Sequence, residues 1–310
     1  MIDIFLKTLP FFALIATGWL AGKWRFFNAE ATAWLTKFVF YFALSAMLFR
    51  FAGTLRLDQL FDPRFLLAYV TGSLAVWVLA LIVARSRKLP LTDCAMEAHV
   101  AMTGNTGFLG VPMLVVLLGE RAIGPVLMVL TVDMILFSTL FTLIVTGARQ
   151  GRLSMAMVWP LIRGVAANPM IVSMVLGLAW SGAGIPMWGP LDDYLTLLGA
   201  AATPGALFAI GASLALHRAE RPGPAIWLSL CKLILHPTAV GIAALAVFAV
   251  EPFAAGVMIC AAALPVAGNV YILAQHFGIA VQRVSSAILI STAASILTVP
   301  LVIHWLMQGR

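Results

Sequence analysis

The sequence predicts an all-α polytopic membrane protein, and three observations lead to this fold class. Hydrophobic residues make up 62% of the 310 positions and charged residues only 10%, whereas soluble domains contain about 25% charged residues. The apolar runs are long and continuous, without the alternating polarity of a membrane β-barrel. Because a spanning helix needs about 20 apolar residues, ten spans and short loops account for nearly the whole chain. The lipid bilayer is therefore the predicted main solvent.

Proline, glycine and charged residues divide the chain into its predicted spans. In chain order these cover residues 4–22, 33–52, 65–85, 92–118, 122–147, 166–181, 194–216, 225–249, 254–277 and 282–307. The longest polar interruption, residues 148–163, separates two halves of five spans each. We therefore predict two repeats, residues 1–150 and 151–310, which lie inverted relative to each other because each contains an odd number of spans.

Basic residues predict the orientation of the chain. The predicted loops on one side of the membrane carry eleven Lys and Arg residues, and those on the other side carry five. Because Lys- and Arg-rich loops stay in the cytoplasm, both termini are predicted to lie on the non-cytoplasmic side. The net charge of +7 is explained by this bias, and no nucleic acid partner is predicted.

Two predicted spans contain matching interruptions, which point to a binding site. Span 4 contains TGNTGFLGVP and span 9 contains LPVAGNVYIL, so each carries an asparagine within a Pro- and Gly-rich stretch. Glycine destabilises a helix interior by up to about 1 kcal/mol and proline by about 3 kcal/mol. Both helices are therefore predicted to unwind near the membrane centre. The residues predicted to form the site are Asn105, Gly107, Gly110, Pro112, Pro265, Gly268 and Asn269.

The chemistry predicted for this site is anion binding. If the two broken helices meet, the N-termini of their second halves, near Pro112 and Asn269, point toward one place. Each terminus carries roughly half a positive charge and free N–H donors, which suit a carboxylate without a buried Lys or Arg. Asn105 and Asn269 would add amide donors. The alternative is that these glycines and prolines are ordinary packing positions or kinks in membrane helices.

Three other polar residues lie inside predicted spans. Asp133 is a candidate for proton carriage or for orienting a neighbour, because a carboxylate in lipid is costly; a bond to the backbone or to a hydroxyl such as that of Thr131 explains it equally well. Lys232 and His236 lie four residues apart on one helical face and could attract the anion or couple to protons. We favour the simpler interpretation, a Lys232 that extends to the interface and a hydrogen-bonded His236.

The sequence contains no zinc-protease, phosphate-loop or nucleophile-elbow motif. No catalytic residue, cofactor or metal site is predicted, so a membrane-embedded enzyme is the weakest of the functional hypotheses. A secondary transporter fits the broken helices best. A passive channel or a non-transporting sensor built on the same fold stays open.

The motifs also carry a family resemblance. GNTGFLGVP in span 4 and ALPVAGNVYILAQHFG in span 9 resemble the signatures of the auxin efflux carrier family, and PGALFAIGASLAL and CKLILHP are similar to other recurring segments of it. The resemblance extends over nearly the whole chain. It is strongest to the compact bacterial branch, often described as malonate or malate carriers, which places the chain in the bacterial inner membrane.

This resemblance implies a bile-acid-symporter-like fold and a function. Spans 4 and 9 would cross in a transport domain that moves against a scaffold of spans 1, 2, 6 and 7, with both domains drawn from both repeats. The family's crossover positions correspond to Asn105, Pro112, Pro265 and Asn269. The implied substrate is a small organic carboxylate, malonate- or malate-like or auxin-like. Coupling to protons or sodium, and a homodimeric state, are left open.

Overall fold

Helices account for nearly all of the structure, a computed structural model that describes residues 2–55, 62–150, 158–216 and 222–308. Within these ranges the chain forms thirteen helices, with short π-helical turns counted in the helices that contain them, and one isolated β-bridge. In chain order the helices are α1 (Ile2–Lys23), α2 (Ala29–Thr54), α3 (Pro63–Ser86), α4 (Leu91–Met102), α5 (Thr106–Leu118), α6 (Glu120–Gln150), α7 (Val158–Ala166), α8 (Pro169–Gly182), α9 (Gly189–Leu216), α10 (Pro222–Val247), α11 (Pro252–Ala262), α12 (Gly268–Phe277) and α13 (Val281–Gln308).

Seven of these helices are long and apolar enough to cross a membrane: α1, α2, α3, α6, α9, α10 and α13. The apolar helices α5, α8 and α11 are shorter. Large apolar side chains such as Ile82, Leu197 and Leu297 lie exposed on outer helix faces, where only lipid could solvate them well. The prediction of an all-helical, multi-pass membrane protein is therefore confirmed.

Predicted spans 4 and 9 are the two that the structure divides in the middle. Predicted residues 92–118 become α4 and α5, and predicted residues 254–277 become α11 and α12. Predicted span 6, residues 166–181, corresponds to the shorter α8, which follows the separate helix α7. The predicted boundary between the repeats adjoins residues 151–157, which lie outside the described part of the chain.

Two helix pairs approach so closely that their backbones touch at glycine. A Cβ added at Gly18 of α1 would lie 2.1 Å from the carbonyl oxygen of Phe208 in α9, and one added at Gly177 of α8 would lie 2.5 Å from that of Phe49 in α2. Small residues permit this approach in membrane helices. Gly18 lies in the first predicted repeat and Gly177 in the second, and each lets its helix pack closely against the backbone of another helix.

A third close backbone contact joins α3 to α10. Gly72 of α3 lies against the backbone of α10, where an added Cβ would be 2.6 Å from the Cα of Val240. This proximity brings the polar residues of the two helices together. It also places α10 beside the breaks in α4–α5 and α11–α12.

Candidate substrate-binding site

The breaks in the two divided helices meet and join through their backbones. Gly104 and Val266 face each other as an antiparallel bridge. The N–H of Asn105 donates to the carbonyl of Pro265 (2.8 Å), and the N–H of Ala267 donates to the carbonyl of Thr103 (3.2 Å). The two bonds are reciprocal, as across an antiparallel pair of strands. We call this joint, residues 103–105 with 265–267, the crossover.

Buried polar groups of the crossover find partners because helix ends in a membrane must be satisfied by protein. The N–H of Val266 donates to Ser291 Oγ of α13 (3.1 Å). The carbonyl of Asn105 accepts from the N–H groups of Leu109 (3.1 Å) and Gly110 (2.9 Å), which closes the first turn of α5. These hydrogen bonds tie the buried crossover to α5 and α13.

The position of the first break differs from the expectation. The sequence predicted an N-terminus near Pro112, whereas the chain unwinds only at residues 103–105 and α5 begins at Thr106. Gly107, Gly110 and Pro112 lie inside α5. A π-helical turn at Thr106–Gly110 precedes Pro112, and the proline then occupies the first α-helical turn, where its missing N–H costs little.

The two asparagines lie at the N-terminal ends of the second half-helices. Asn105 is the residue before α5 and is buried, and Asn269 is the second residue of α12 and is half-buried. Asn269 Oδ1 and Thr106 Oγ1 are buried atoms without a hydrogen-bond partner in the part of the chain that the structure describes. The first N–H groups of a helix also lack partners within that helix. Both half-helices thus offer hydrogen-bonding capacity beside the crossover.

Lys232 is the largest correction to the sequence-based interpretation of this region. Its side chain is completely buried and does not extend to the membrane interface. Lys232 Nζ donates to the carbonyl of Ala262, at the end of α11. A Cβ added at Gly104 would lie 3.2 Å from Lys232 Nζ. The amino group of Lys232 therefore lies directly against the crossover, at the negative end of the α11 dipole, which favours its positively charged form.

A row of polar side chains leads away from Lys232 into the protein, and we call it the buried polar row. It consists of Lys232 and His236 of α10, Ser73 and Tyr69 of α3, and Asp133 of α6. Lys232 Nζ lies 3.1 Å from His236 Nδ1, and His236 Nε2 lies 2.9 Å from Ser73 Oγ. The prediction of a hydrogen-bonded His236 is confirmed.

At the other end of the row, the Tyr69 hydroxyl donates to Asp133 Oδ1 (2.8 Å). The rings of Tyr69 and His236 pack edge to face with centroids 5.9 Å apart. Thr131, an expected type of partner for Asp133, instead donates to the carbonyl of Leu127 (2.7 Å). The structure thus brings together Asp133, Lys232 and His236. Sequence reasoning missed Tyr69 and Ser73, although their spacing of four residues places them on one face of an apolar helix.

A second polar group escaped the sequence analysis. Glu97 of α4 is buried and accepts hydrogen bonds from Arg87, just after α3, and from Arg283 of α13. Arg283 also bonds Asp93. We call these four residues the ion-pair cluster. The four-residue spacing of Asp93 and Glu97 was the available signal for it.

Together these features define a class: a polytopic membrane protein with two broken helices that cross beside a buried cation. The comparisons with known proteins then identify the family. The sequence profile described as "Membrane transport protein" matches residues 3–303. The chain belongs to this membrane transport family, which is the auxin efflux carrier family that the motifs indicated.

Two relatives match along nearly their whole length. A protein of Rhizobium meliloti (strain 1021) named "Putative malonate transporter" is 29% identical over 312 residues, which cover 100% of this chain and 98% of the relative. "Uncharacterized transporter YfdV" of Escherichia coli (strain K12) is 23% identical over 303 residues, covering 96% of this chain and 95% of the relative.

Proposed function

We propose that this protein is a secondary transporter that carries small organic carboxylate anions across the bacterial inner membrane by alternating access. The observation that carries the proposal is the crossover with the Lys232 ammonium buried against it. A buried cation in a membrane protein is costly and is a functional-site hypothesis by default. Here it adds to the positive ends of two half-helices, which favour a negatively charged ligand. The name of the Rhizobium relative supports a dicarboxylate such as malonate.

The proposed site is built around the ends of α5 and α12. Asn105 and Asn269 supply amide groups. Pro265 and Gly268 shape the second break. The first turns of α5 form one wall of the site with Gly107, Gly110 and Pro112. The substrate carboxylate would take N–H donors from these helix ends and an electrostatic contribution from Lys232. Asp133 and His236 act through Lys232 and do not bind the substrate directly.

We further propose ten spans in two inverted repeats. Counting each broken pair as one span and α8 as another adds three to the seven long helices. Two observations support the repeats. The reciprocal hydrogen bonds of the crossover pair residues 103–105 with 265–267 in antiparallel register, as a two-fold axis between the repeats would place them. Gly18 and Gly177 make equivalent backbone contacts in pairs α1–α9 and α8–α2. By the count of basic residues, both termini lie on the non-cytoplasmic side.

Alternating access requires two bodies that move against each other. The pairs α1–α9 and α8–α2 would form the scaffold, and the remaining long and broken helices the transport domain. An apolar cavity of about 350 Å³ lies where the two proposed domains meet, lined by α2, α3, α6 and α8 and including Ala52, Val70, Thr131 and Met174. Its lining has few polar groups to anchor one domain to the other, which favours sliding.

The direct test is transport by purified protein in liposomes. Uptake of labelled malonate, malate and indole-acetate is measured for wild type, Asn105→Ala and Asn269→Ala, with counterflow to distinguish a carrier from a channel. We expect saturable counterflow of at least one anion by wild type and a loss of roughly tenfold or more in each variant. Asn28→Ala is the matched control, because Asn28 caps α2 at an exposed position. Undiminished transport in both crossover variants would overturn the site, and non-saturable flux would overturn the carrier.

A further inference from the structure

The buried polar row contains two opposite charges that do not touch. Asp133 is almost completely buried, its Oδ1 accepts from Tyr69, and its Oδ2 has no hydrogen-bond partner among the described residues. Lys232, also buried, is bonded to His236 and to the carbonyl of Ala262. No ion pair joins Asp133 to Lys232 in the described part of the chain, although opposite charges at these two positions would attract each other through the low-dielectric interior.

An isolated carboxylate oxygen in such surroundings is poorly stabilised as an anion. Burying a charge without a direct partner carries a large desolvation cost, which protonation removes. A proton on Oδ2 would neutralise Asp133 and leave the Tyr69 hydrogen bond to Oδ1 in place. Asp133 is therefore suited to bind and release a proton without rearrangement of the groups around it.

We propose that Asp133 binds a proton that travels with the carboxylate anion, and that Lys232 links the two binding events. With Asp133 ionised, its charge and that of Lys232 cancel, and the row offers no net charge to an anion. When a proton from water forms an O–H bond at Oδ2, the row carries a net single positive charge. That charge lies at Lys232 Nζ, against Gly104 in the crossover.

The energetic consequence is reciprocal coupling. Proton binding at Asp133 raises the affinity of the crossover for an anion, and a bound anion raises the affinity of Asp133 for a proton by the same factor. On the opposite side of the membrane the anion leaves and the O–H bond breaks, which returns the proton to water and restores the neutral row. Each cycle would move one proton with one anion. This inference rests on the proposed function, since it requires an anion at the crossover.

Other buried titratable groups lie on α3, α4, α10 and α11. They are Tyr69 of α3, Cys94, Glu97 and His99 of α4, Cys231, Lys232 and His236 of α10, and Cys260 of α11. Glu97 is held by two arginines, and the His99 ring stacks on Phe141 at 5.1 Å. Of the two buried carboxylates in the described part of the chain, Glu97 thus has guanidinium partners, whereas Asp133 is bonded by Tyr69 at Oδ1 and by nothing at Oδ2.

The test measures malonate binding against pH for purified wild type and Asp133→Asn, together with proton movement into liposomes reported by an enclosed pH dye. Because malonate itself titrates, each variant is compared with wild type at the same pH. Wild-type affinity is expected to rise as pH falls, by up to about tenfold per pH unit for one linked proton. Asp133→Asn mimics the protonated carboxyl and should bind malonate tightly at alkaline pH, without that extra dependence and without anion-driven proton movement.

Three further variants keep the result interpretable if Asp133→Asn folds poorly. Tyr69→Phe removes the donor that favours the ionised carboxylate, so the pH dependence should move to higher pH. His99→Gln removes another buried titratable group and Ser229→Ala a buried hydroxyl on α10 that bonds backbone carbonyls; both should behave as wild type. Malonate binding with the same pH dependence in wild type, Asp133→Asn and Tyr69→Phe would overturn this inference alone. Absence of carboxylate binding by wild type at any pH would overturn the proposed function and this inference with it.

Discussion

The ion-pair cluster and the buried polar row each contain a buried carboxylate, Glu97 in the first and Asp133 in the second, but the two carboxylates have different partners. In the cluster, Glu97 is bonded directly by Arg87 and Arg283. In the row, neutral Tyr69, Ser73 and His236 lie between Asp133 and Lys232. A fully bonded carboxylate has its charge compensated in place and contributes to the structure. A carboxylate separated from its counter-charge is less stabilised in its ionised form and is suited to bind and release a proton.

The largest effect on stability is expected when the ion-pair cluster is broken. Arg283→Ala would leave the buried Glu97 carboxylate bonded only to Arg87. It would also remove the arginine that bonds Asp93. Removing one member of a buried pair typically costs about 3 kcal/mol of the free energy of unfolding. Thermal unfolding in detergent would show this as a clear fall in Tm. Arg121→Ala is the control, because Arg121 lies over the Phe253 ring (4.6 Å) and its loss should cost about 1 kcal/mol or less. Equal shifts in the two variants would contradict a structural role for the cluster.

The row should respond in the opposite manner, with a large effect on transport and a smaller one on folding. Lys232→Met removes the cation beside the crossover, and Asp133 can take up a proton to avoid an uncompensated charge. We expect apparent affinity for malonate to fall about tenfold or more, which corresponds to about 1.4 kcal/mol of binding, with a Tm decrease smaller than that of Arg283→Ala. Uptake kinetics and thermal unfolding of the same preparations would check both parts, with Ser229→Ala as control. If Lys232→Met unfolds at a lower temperature than Arg283→Ala, the distinction between a structural ion-pair cluster and a functional polar row is wrong.

A subtler change would test the contact between the row and the crossover. A Cβ at Gly104 would lie 3.2 Å from the carbonyl oxygen of Ala261 and from Lys232 Cε and Nζ, whereas a Cβ at Gly223, near the start of α10, would meet nothing within 4 Å. Gly104→Ala is therefore expected to displace the Lys232 amino group and lower the rate of uptake several-fold. Gly223→Ala should transport as wild type. The comparison fails if both alanine variants transport equally well in liposomes.

The smallest effect is expected at a charge pair outside both groups. Arg50 of α2 and Asp192 of α9 form a salt bridge (2.6 Å) whose side chains are 31% and 33% exposed. Such exposed pairs contribute little to stability, so Asp192→Asn should change Tm little and leave transport intact. A loss of uptake in this variant would show that charge pairing within the proposed scaffold matters as much as the buried row.

Much of the helical layout follows from the sequence, because lipid requires long apolar segments whatever else the chain does. The Gly- and Pro-rich stretches that contain Gly104 and Pro265 likewise predicted the two breaks. The start of α5 was predicted wrongly because a π-helical turn precedes Pro112 and lets the helix begin earlier, at Thr106. Such a turn depends on the hydrogen-bond register of the backbone, which the amino-acid composition does not specify. Lys232 was misjudged because a lone lysine in an apolar run carries no sign of its partners. Apart from His236, its hydrogen-bond partner is the carbonyl of Ala262 at the end of α11, which lies 30 positions away in the sequence.

The crossover is built from main-chain atoms, and this has a consequence for how such proteins diversify. Its two reciprocal bonds need an N–H at Asn105 and at Ala267, and a carbonyl at Thr103 and at Pro265. Any residue except proline can donate, and proline itself can accept, as Pro265 does. The side chains of Asn105 and Ala267 could therefore change without loss of these two bonds, and a descendant could acquire a new cargo while inheriting the same joint.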